Sequence, residues 1–260
     1  MSDVYSFHAG TSPLLVSVPH DGWRIPNGIV QEMTDAARGI PDTDWHVSHL
    51  YGFARTLGAS MLVANYSRYV VDLNRPADDA ALYPDQPATG LVPMQTFAGE
   101  RLYSGSRAID TAARVERYWR PYHGRLAAAL ESLRKRHGYA LLWDAHSIPS
   151  RVPALFDGEL PVLNLGTFEG RSCSAAIMAA VEQVAAASPY EAVSNARFKG
   201  GYITRHYGQP DNDVHAIQLE LAQRAYMNEK TLEYDRDRAA GLQVTLEALL
   251  QSFMDAATDA

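Results

Sequence analysis

Two histidines that follow apolar runs give this 260-residue sequence its strongest indication of metal chemistry. His20 lies in the segment SVPHDG, and His146 lies in the segment LLWDAHS. Neutral imidazole is the commonest metal ligand in proteins, and two imidazoles with one carboxylate form a site that keeps a coordination position open for water. The pair therefore indicates a hydrolytic metal site, although either histidine alone would more often be structural.

Two acids compete for the carboxylate position of such a site. Asp42 and Asp44 both lie in the segment PDTDWH, where an acid or a threonine is expected to cap the following helix. The sequence does not decide which of them faces a metal. Asp144 precedes His146 by two residues, so both side chains point to the same side of an extended chain, and we expect Asp144 to hydrogen-bond the histidine.

Glu220 is an acid inside the apolar run HAIQLEL, between Leu219 and Leu221. If its side chain points inward, a general base with a raised pKa accounts for its position. If the side chain points outward, it is an ordinary strand glutamate. The residues alone leave both interpretations open.

Three arginines lie near predicted strand ends or turns: Arg68, Arg75 and Arg205. The guanidinium group matches a carboxylate through two parallel hydrogen bonds. In a chain with a formal net charge of −7, three arginines near one pocket would indicate a small anionic substrate or a developing oxyanion. The alternative is that they form surface salt bridges with acids such as Asp72 and Asp78, which contribute little to stability.

Short apolar runs predict the strands that must position these residues: 13–19, 60–65, 68–73, 139–144, 161–166 and 215–221. Helical patterns predict helices over about 42–58, 107–137, 172–187 and 229–255, with Pro121 kinking or splitting the second. This alternation favours a single α/β domain over residues 1–260 with a largely parallel sheet covered on both faces. Ligands of such sheets bind beyond the carboxyl ends of the strands, where the histidines and arginines are expected.

Residues 76–100 hold four prolines and show little periodicity. A loop of that length inside a compact domain is typical of a lid or binding loop. His206, in the segment ITRHYG, is expected to be a neighbour of the site without an assigned role.

The bulk composition excludes several classes of protein. An acidic chain lacks the basic face that nucleic-acid binding needs. Cys173 is the single cysteine, so an intramolecular disulfide is impossible and a reducing cytoplasm fits. No signal-peptide pattern and no run of 18 apolar residues is present, so we expect neither export nor membrane association. The motifs GxSxG, GxxxxGK, HExxH and GxGxxG are absent, which disfavours serine hydrolases, P-loop NTPases, thermolysin-type proteases and dinucleotide enzymes.

Five motifs in this order resemble the N-formylglutamate amidohydrolase family: SVPHDG, DTDWHV, YSRYVVDLNRP, WDAHS and FKGGYITRHYG…HAIQLEL, over about residues 12–228. Members of that family remove formate from N-formyl-L-glutamate at the end of one route of histidine degradation. The family is distantly similar to zinc carboxypeptidases and aspartoacylases. The resemblance implies a three-layer α/β/α sandwich with a mixed, mostly parallel sheet, and one divalent metal ion, expected to be zinc.

The resemblance also implies roles for individual residues. His20 and His146 would be metal ligands, and Glu220 would be the base that activates water. The wider group has an acid three residues after its first histidine ligand, whereas this sequence has Trp23 there. The third ligand must come from elsewhere, and we expect Asp44, with Asp42 in reserve.

The substrate would be held by a second set of residues. The segment from Arg68 to Arg75 resembles the substrate-binding segment of the wider group. It implies that Arg68 stabilises the oxyanion, and that Asn74 with Arg75 binds a substrate carboxylate. Arg205 is the candidate for a second carboxylate.

Two other functions remain open at this stage. The first is hydrolysis of another N-acyl amino acid or a small peptide, which depends on the size of the pocket. The second is non-catalytic binding of a dicarboxylate, which a metal analysis and a formate-release assay would distinguish. The sequence does not indicate an oligomeric state.

Overall fold

A computed structural model describes residues 4–82, 89–105 and 108–258, and within these residues it has one sheet of seven strands. The strands are β1 (Tyr5–His8), β2 (Leu14–Val18), β3 (Ser60–Ala64), β4 (Ala140–Ile148), β5 (Leu163–Gly166), β6 (Ala192–Ser194) and β7 (Val214–Ala222). Their order across the sheet is β1-β3-β2-β4-β7-β5-β6. The pairs β1–β3 and β5–β7 are antiparallel, and the other four are parallel. The sheet is therefore mixed and mostly parallel, as predicted.

Helices cover both faces of the sheet. They are α1 (Asn27–Val30), α2 (Asp35–Arg38), α3 (Val47–Leu50), α4 (Thr111–Arg114), α5 (Arg120–His137), α6 (Ala175–Ala187), α7 (Tyr202–Tyr207) and α8 (Arg236–Thr258). One core packs a sheet face against α3, α6 and α8, and a second core packs the other face against α5 and α7. These layers form the predicted α/β/α arrangement. No helix within the described ranges is both long and apolar enough to cross a bilayer.

The central strand β4 is buried on both faces, which explains why its sequence begins as a continuous apolar run. Leu141, Trp143 and Ala145 belong to the core on the α6 and α8 side, whereas Leu142 belongs to the core on the α5 side. Burial of each large apolar side chain contributes about 1.5–3 kcal/mol to stability. Since side chains alternate along a strand, His146 projects to the same face as Leu142. The α5-facing side of β4 therefore changes from apolar to polar towards its carboxyl end.

The predicted strand over residues 68–73 is wrong, because this segment crosses the carboxyl edge of the sheet as irregular turns. The N–H of Val70 donates to the Ser67 carbonyl at 2.9 Å. The N–H of Asp72 donates to the Leu91 carbonyl at 2.7 Å. Its apolar residues are nevertheless buried, so the segment has the composition of a core strand without a strand partner.

The helical segment 111–137 is continuous rather than split. A π-type turn over Val115–Trp119 joins α4 to α5, and Pro121 lies in the first turn of α5. Proline has no N–H, and its ring clashes with the carbonyl four residues earlier in a regular helix. The wider turn directly before Pro121 accommodates both effects without ending the helix.

His123 on α5 gives folding stability a predictable pH dependence. Its Nε2 lies 2.9 Å from the Leu73 carbonyl oxygen, and its Nδ1 lies 3.0 Å from the Tyr207 hydroxyl. Burial lowers the pKa of this imidazole to about 3. Below pH 6.5 the unfolded chain therefore binds more protons at this group than the folded protein does, so stability falls as the pH falls.

We expect the free energy of unfolding to drop by about 2 kcal/mol between pH 8 and pH 5 relative to His123→Gln, which keeps a donor for the Leu73 carbonyl but does not titrate. Urea denaturation of both proteins at the two pH values measures this difference. Parallel pH dependence of the two proteins would contradict it.

Candidate active site

Polar side chains meet at the carboxyl ends of β2, β4 and β7, which are adjacent in the sheet. His20 follows β2 by two residues, and His146 of β4 pairs in register with Glu220 of β7. Paired residues of neighbouring strands project to the same face of a sheet. Asp44 joins them from the segment before α3, where its N–H donates to the His20 carbonyl at 3.1 Å.

The side chains of His20, Asp44 and His146 are buried and offer one ligand atom each, all within 4.8 Å of one another. The two imidazole ring centroids are 4.9 Å apart. Asp44 Oδ2 lies 3.7 Å from His20 Nδ1 and 3.1 Å from His146 Nδ1. Two imidazole nitrogens and one carboxylate oxygen form a donor set of catalytic zinc sites. The cluster can therefore hold one divalent ion.

The second nitrogen of each histidine faces a buried carboxylate. His20 Nε2 lies 2.8 Å from Asp72 Oδ1, and His146 Nε2 lies 3.2 Å from Asp144 Oδ2. A carboxylate in this position keeps the proton on Nε2 and leaves Nδ1 for a metal. The expected contact between Asp144 and His146 is present, whereas the contact between Asp72 and His20 was not predicted.

Asp42, the reserve ligand, is directed away from the cluster. Its Oδ2 accepts hydrogen bonds from the Tyr69 hydroxyl at 2.6 Å and from the Phe97 N–H at 2.9 Å. The expectation that this segment caps a helix is wrong, because α3 begins after His46, whose φ of 64° is left-handed and whose side chain makes no capping bond. Both acids of the segment are therefore used in tertiary contacts.

Burial and charge shift the pKa values of the acids around the cluster in opposite directions. Burial raises the pKa of Glu220 to about 8, against the opposing charges of His146 and Arg68. Burial alone would raise the pKa of Asp72, but Arg68, His20 and Arg75 together outweigh it and hold the pKa of that carboxyl well below its usual range. Two acids with pKa values pushed apart are typical of sites in which one acid moves a proton and the other stays charged.

Arg68 lies beside the cluster and is tied to its acids. Its Nη2 is 2.6 Å from Asp72 Oδ2, and its Nη1 is 3.9 Å from Asp44 Oδ1. The guanidinium also lies 5.1 Å from the centroid of the Phe97 ring. The Nε of Arg68 is buried and has no hydrogen-bond partner in the described part of the chain. These contacts fix the arginine at the cavity wall.

Asn74 and Arg75 also line the cavity, and both are engaged within the protein. Asn74 Oδ1 accepts a hydrogen bond from the Ile203 N–H at 2.8 Å, and its Nδ2 donates at 3.5 Å to Asp144 Oδ2, the oxygen that faces His146 Nε2. The Nε of Arg75 donates to the Thr89 carbonyl at 2.7 Å. Arg75 is thus oriented by its neighbours, and Asn74 connects the start of α7 to Asp144.

Arg205 is not brought to this cavity. Its Nε donates to the Gly200 carbonyl at 2.8 Å, and its Nη1 donates to the Leu82 carbonyl at 2.9 Å. His206 likewise lies outside the lining, stacked on Tyr202 with ring centroids 4.9 Å apart. The expected role of Arg205 stays a prediction that its position does not support. Arg197, which directly precedes the motif FKGGYITRHYG and was not singled out in the sequence, lines the cavity instead.

The cavity above the cluster has a volume of about 80 Å³ and combines charged with apolar walls. Its charged residues are His20, Asp44, Arg68, Arg75, His146, Arg197 and Glu220, and its apolar residues include Phe97, Ile148, Leu155 and Phe198. A cavity needs about 10–15 Å³ to hold one water molecule, so this space is large enough for several waters or part of a small molecule. Thr89 and Phe97 come from the predicted lid, of which residues 83–88 lie outside the described residues.

Comparisons with known proteins identify the family and the fold of this chain. The model of the N-formylglutamate amidohydrolase family matches residues 12–227. N-formylglutamate deformylase of Pseudomonas putida is 51% identical over 259 residues, and that of Pseudomonas aeruginosa is 51% identical over 260 residues. Each alignment covers 98% of this chain and 97% of the relative. The crystal structure of N-formylglutamate amidohydrolase from Ralstonia eutropha JMP134 has the same fold, with a TM-score of 0.82, 24% identity and 97% of each chain covered.

Proposed function

Since the chain belongs to the N-formylglutamate amidohydrolase family, we propose that it hydrolyses N-formyl-L-glutamate to formate and L-glutamate. The observation that carries this proposal is the convergence of His20, Asp44 and His146 beside Glu220, in a chain half identical to two deformylases. We further propose that the protein acts in the cytoplasm, at the end of histidine degradation.

The three-residue cluster would hold one divalent metal ion, and its donor set favours zinc. When bound, that ion supplies a Lewis acid for the formyl oxygen and lowers the pKa of a water molecule. Asp72 and Asp144 orient the two imidazoles for this task.

Glu220 is the general base of the proposed reaction. It accepts a proton from the attacking water, whose oxygen bonds to the formyl carbon. Glu220 then delivers that proton to the amide nitrogen as the C–N bond breaks. The products are formate and L-glutamate with a free amino group. Arg68 donates to the oxyanion that develops on the formyl oxygen, an effect of about 3–4 kcal/mol for one well-placed donor.

Arg75 binds a carboxylate of the substrate in this proposal, since it lines the cavity and its guanidinium is already oriented by Thr89. Asn74 was expected to assist, but its amide is directed at the Ile203 N–H and at Asp144. We therefore assign Asn74 to the positioning of Asp144, which in turn orients His146. The second carboxylate needs a cation other than Arg205.

Asp144→Asn is expected to weaken zinc binding by about 10- to 100-fold, because the amide no longer holds the proton on His146 Nε2. Competition with a chromogenic chelator measures the affinity. Asp157→Asn, at an exposed position, is the matched control. Equal zinc affinity in the two variants would contradict the orienting role of Asp144.

A formate-release assay with zinc-loaded protein tests the proposed function. We expect N-formyl-L-glutamate to give the highest kcat/KM in a panel of formyl, acetyl and succinyl amino acids and small peptides. A higher kcat/KM for another acyl group or a peptide would favour the alternative hydrolase. Binding of dicarboxylates without any hydrolysis would favour the non-catalytic alternative.

A further inference from the structure

Residues 195–201, between β6 and α7, form one wall of the cavity. Arg197, Phe198 and Gly201 of this segment line the space above the metal cluster. Phe198 and Gly201 belong to the motif FKGGYITRHYG, whereas Arg197 directly precedes that motif and was assigned no role from the sequence. The single arginine of this segment faces the site that Arg205 was expected to reach.

The guanidinium group of Arg197 is held in place by a hydrogen bond to a backbone carbonyl. Its Nε donates to the Leu155 carbonyl at 2.7 Å, and Leu155 itself lines the cavity. The guanidinium carbon lies 5.6 Å from the centroid of the Phe198 ring. Because a guanidinium is planar, fixing Nε also fixes the direction of the two terminal nitrogens.

The backbone of this wall is anchored at both ends. The N–H of Asn195 donates to the Leu165 carbonyl at 2.7 Å, and the Lys199 carbonyl accepts from the Phe168 N–H at 2.6 Å. A Cβ on Gly166 would lie 2.6 Å from the Gly200 nitrogen, so the two backbones are in close contact. A wall fixed in this way presents its arginine to a ligand with little loss of conformational entropy.

The three arginines that line the cavity lie in different surroundings. Arg68 is bound to Asp72 and lies close to Asp44, so it belongs to the metal cluster. Arg75 lines the same cavity and its guanidinium is oriented by Thr89, so we assign the substrate's α-carboxylate to it. Arg197 is flanked by Leu155 and Phe198, whose apolar surfaces suit the methylene groups of a side chain.

We propose that Arg197 binds the side-chain carboxylate of the substrate and makes the enzyme selective for N-formyl derivatives of dicarboxylic amino acids. This inference rests on the proposed function. Arg75 then binds the α-carboxylate, and the two arginines hold the substrate at both ends while the formamide lies over the metal cluster.

Substrate-dependent kinetics test this inference. N-formyl-L-glutamine differs from N-formyl-L-glutamate only by an amide at the side-chain end. In Arg197→Gln we expect kcat/KM for the glutamate derivative to fall about 100-fold, mainly through KM, and kcat/KM for the glutamine derivative to change less than about threefold. Arg197→Lys, which keeps the charge but loses the Nε donor to Leu155, should give an intermediate loss. Arg171→Gln, an exposed arginine on the neighbouring loop, is the control that leaves both values unchanged.

Calorimetric binding of the products gives an independent measurement. We expect Arg197→Gln to weaken binding of L-glutamate but not of L-glutamine. Equal losses for both substrates, or no loss for either, in variants that melt like the wild type would overturn the role of Arg197. If the zinc-loaded wild type released no formate from N-formyl-L-glutamate, the proposed function would fail first and this inference with it.

Discussion

Glu220→Gln is expected to lower kcat about 1,000-fold while the protein keeps its fold and its metal. Glutamine has the shape of glutamate but cannot accept a proton from water. Glu220 is 7% exposed and lines the cavity, and burial raises the pKa of its carboxyl group to about 8, so it is a stronger base than an exposed glutamate. KM should change little, because the side chain acts mainly in the transition state.

Steady-state formate release and elemental analysis of the same preparation measure this effect. Glu182→Gln, on the exposed side of α6, is the matched control and should retain wild-type kcat. A Glu220→Gln protein with bound metal and near-normal kcat would show that another group takes the proton.

Asp44→Asn is expected to weaken zinc binding at least 100-fold and to remove most of the activity, whereas Asp42→Asn should retain the metal. The two acids are two residues apart, but only Asp44 has an oxygen close to both histidine Nδ1 atoms. Asp42 instead accepts hydrogen bonds from Tyr69 and Phe97. Losing a ligand should cost more than losing a residue that orients a ligand, for which 10- to 100-fold is usual.

Zinc affinity and formate release of the two variants, measured side by side, test this assignment. A loss of zinc from Asp42→Asn with zinc retained by Asp44→Asn would reverse the assignment. Thermal unfolding of both proteins separates loss of the metal from loss of the fold, because Asp42 also anchors the Phe97 backbone.

The buried charges of this site are arranged as a connected network. Asp72 contacts both His20 and Arg68, and Asp44 contacts both histidines. Removing one member of such a network leaves a partner buried without compensation, which costs several kcal/mol. Isosteric changes from acid to amide are therefore the informative variants here, and truncation to alanine is not.

Strand periodicity made the polar residues on the strands candidates for the site, and the family resemblance supplied their expected roles. His146 and Glu220 are polar residues at the ends of buried apolar runs, and the register of β4 and β7 brings them side by side. The adjacent residues Ala145, Leu219 and Leu221 project to the opposite face and are apolar and buried, so the polar residues beside them are conspicuous. The α/β class followed from the same alternation of strands and helices.

Residues in irregular segments could not be assigned in this way. The choice between Asp42 and Asp44, the contact of Asp72 with His20, and the position of Arg197 all depend on tertiary packing of loops. Arg205 was singled out from the sequence and Arg197 was not, but Arg205 donates to the carbonyls of Gly200 and Leu82 and lies outside the cavity lining, whereas Arg197 is part of it. The edge strands β1 and β6 have four and three residues, too few for a period-2 pattern to be recognised.

X-ray diffraction at the zinc absorption edge, from crystals of the zinc-loaded protein, tests the central claim most directly. We expect one anomalous peak within bonding distance of Nδ1 of His20, Nδ1 of His146 and a carboxylate oxygen of Asp44. A peak elsewhere, or full formate release by protein with no bound metal, would contradict a metal centre built from these three residues.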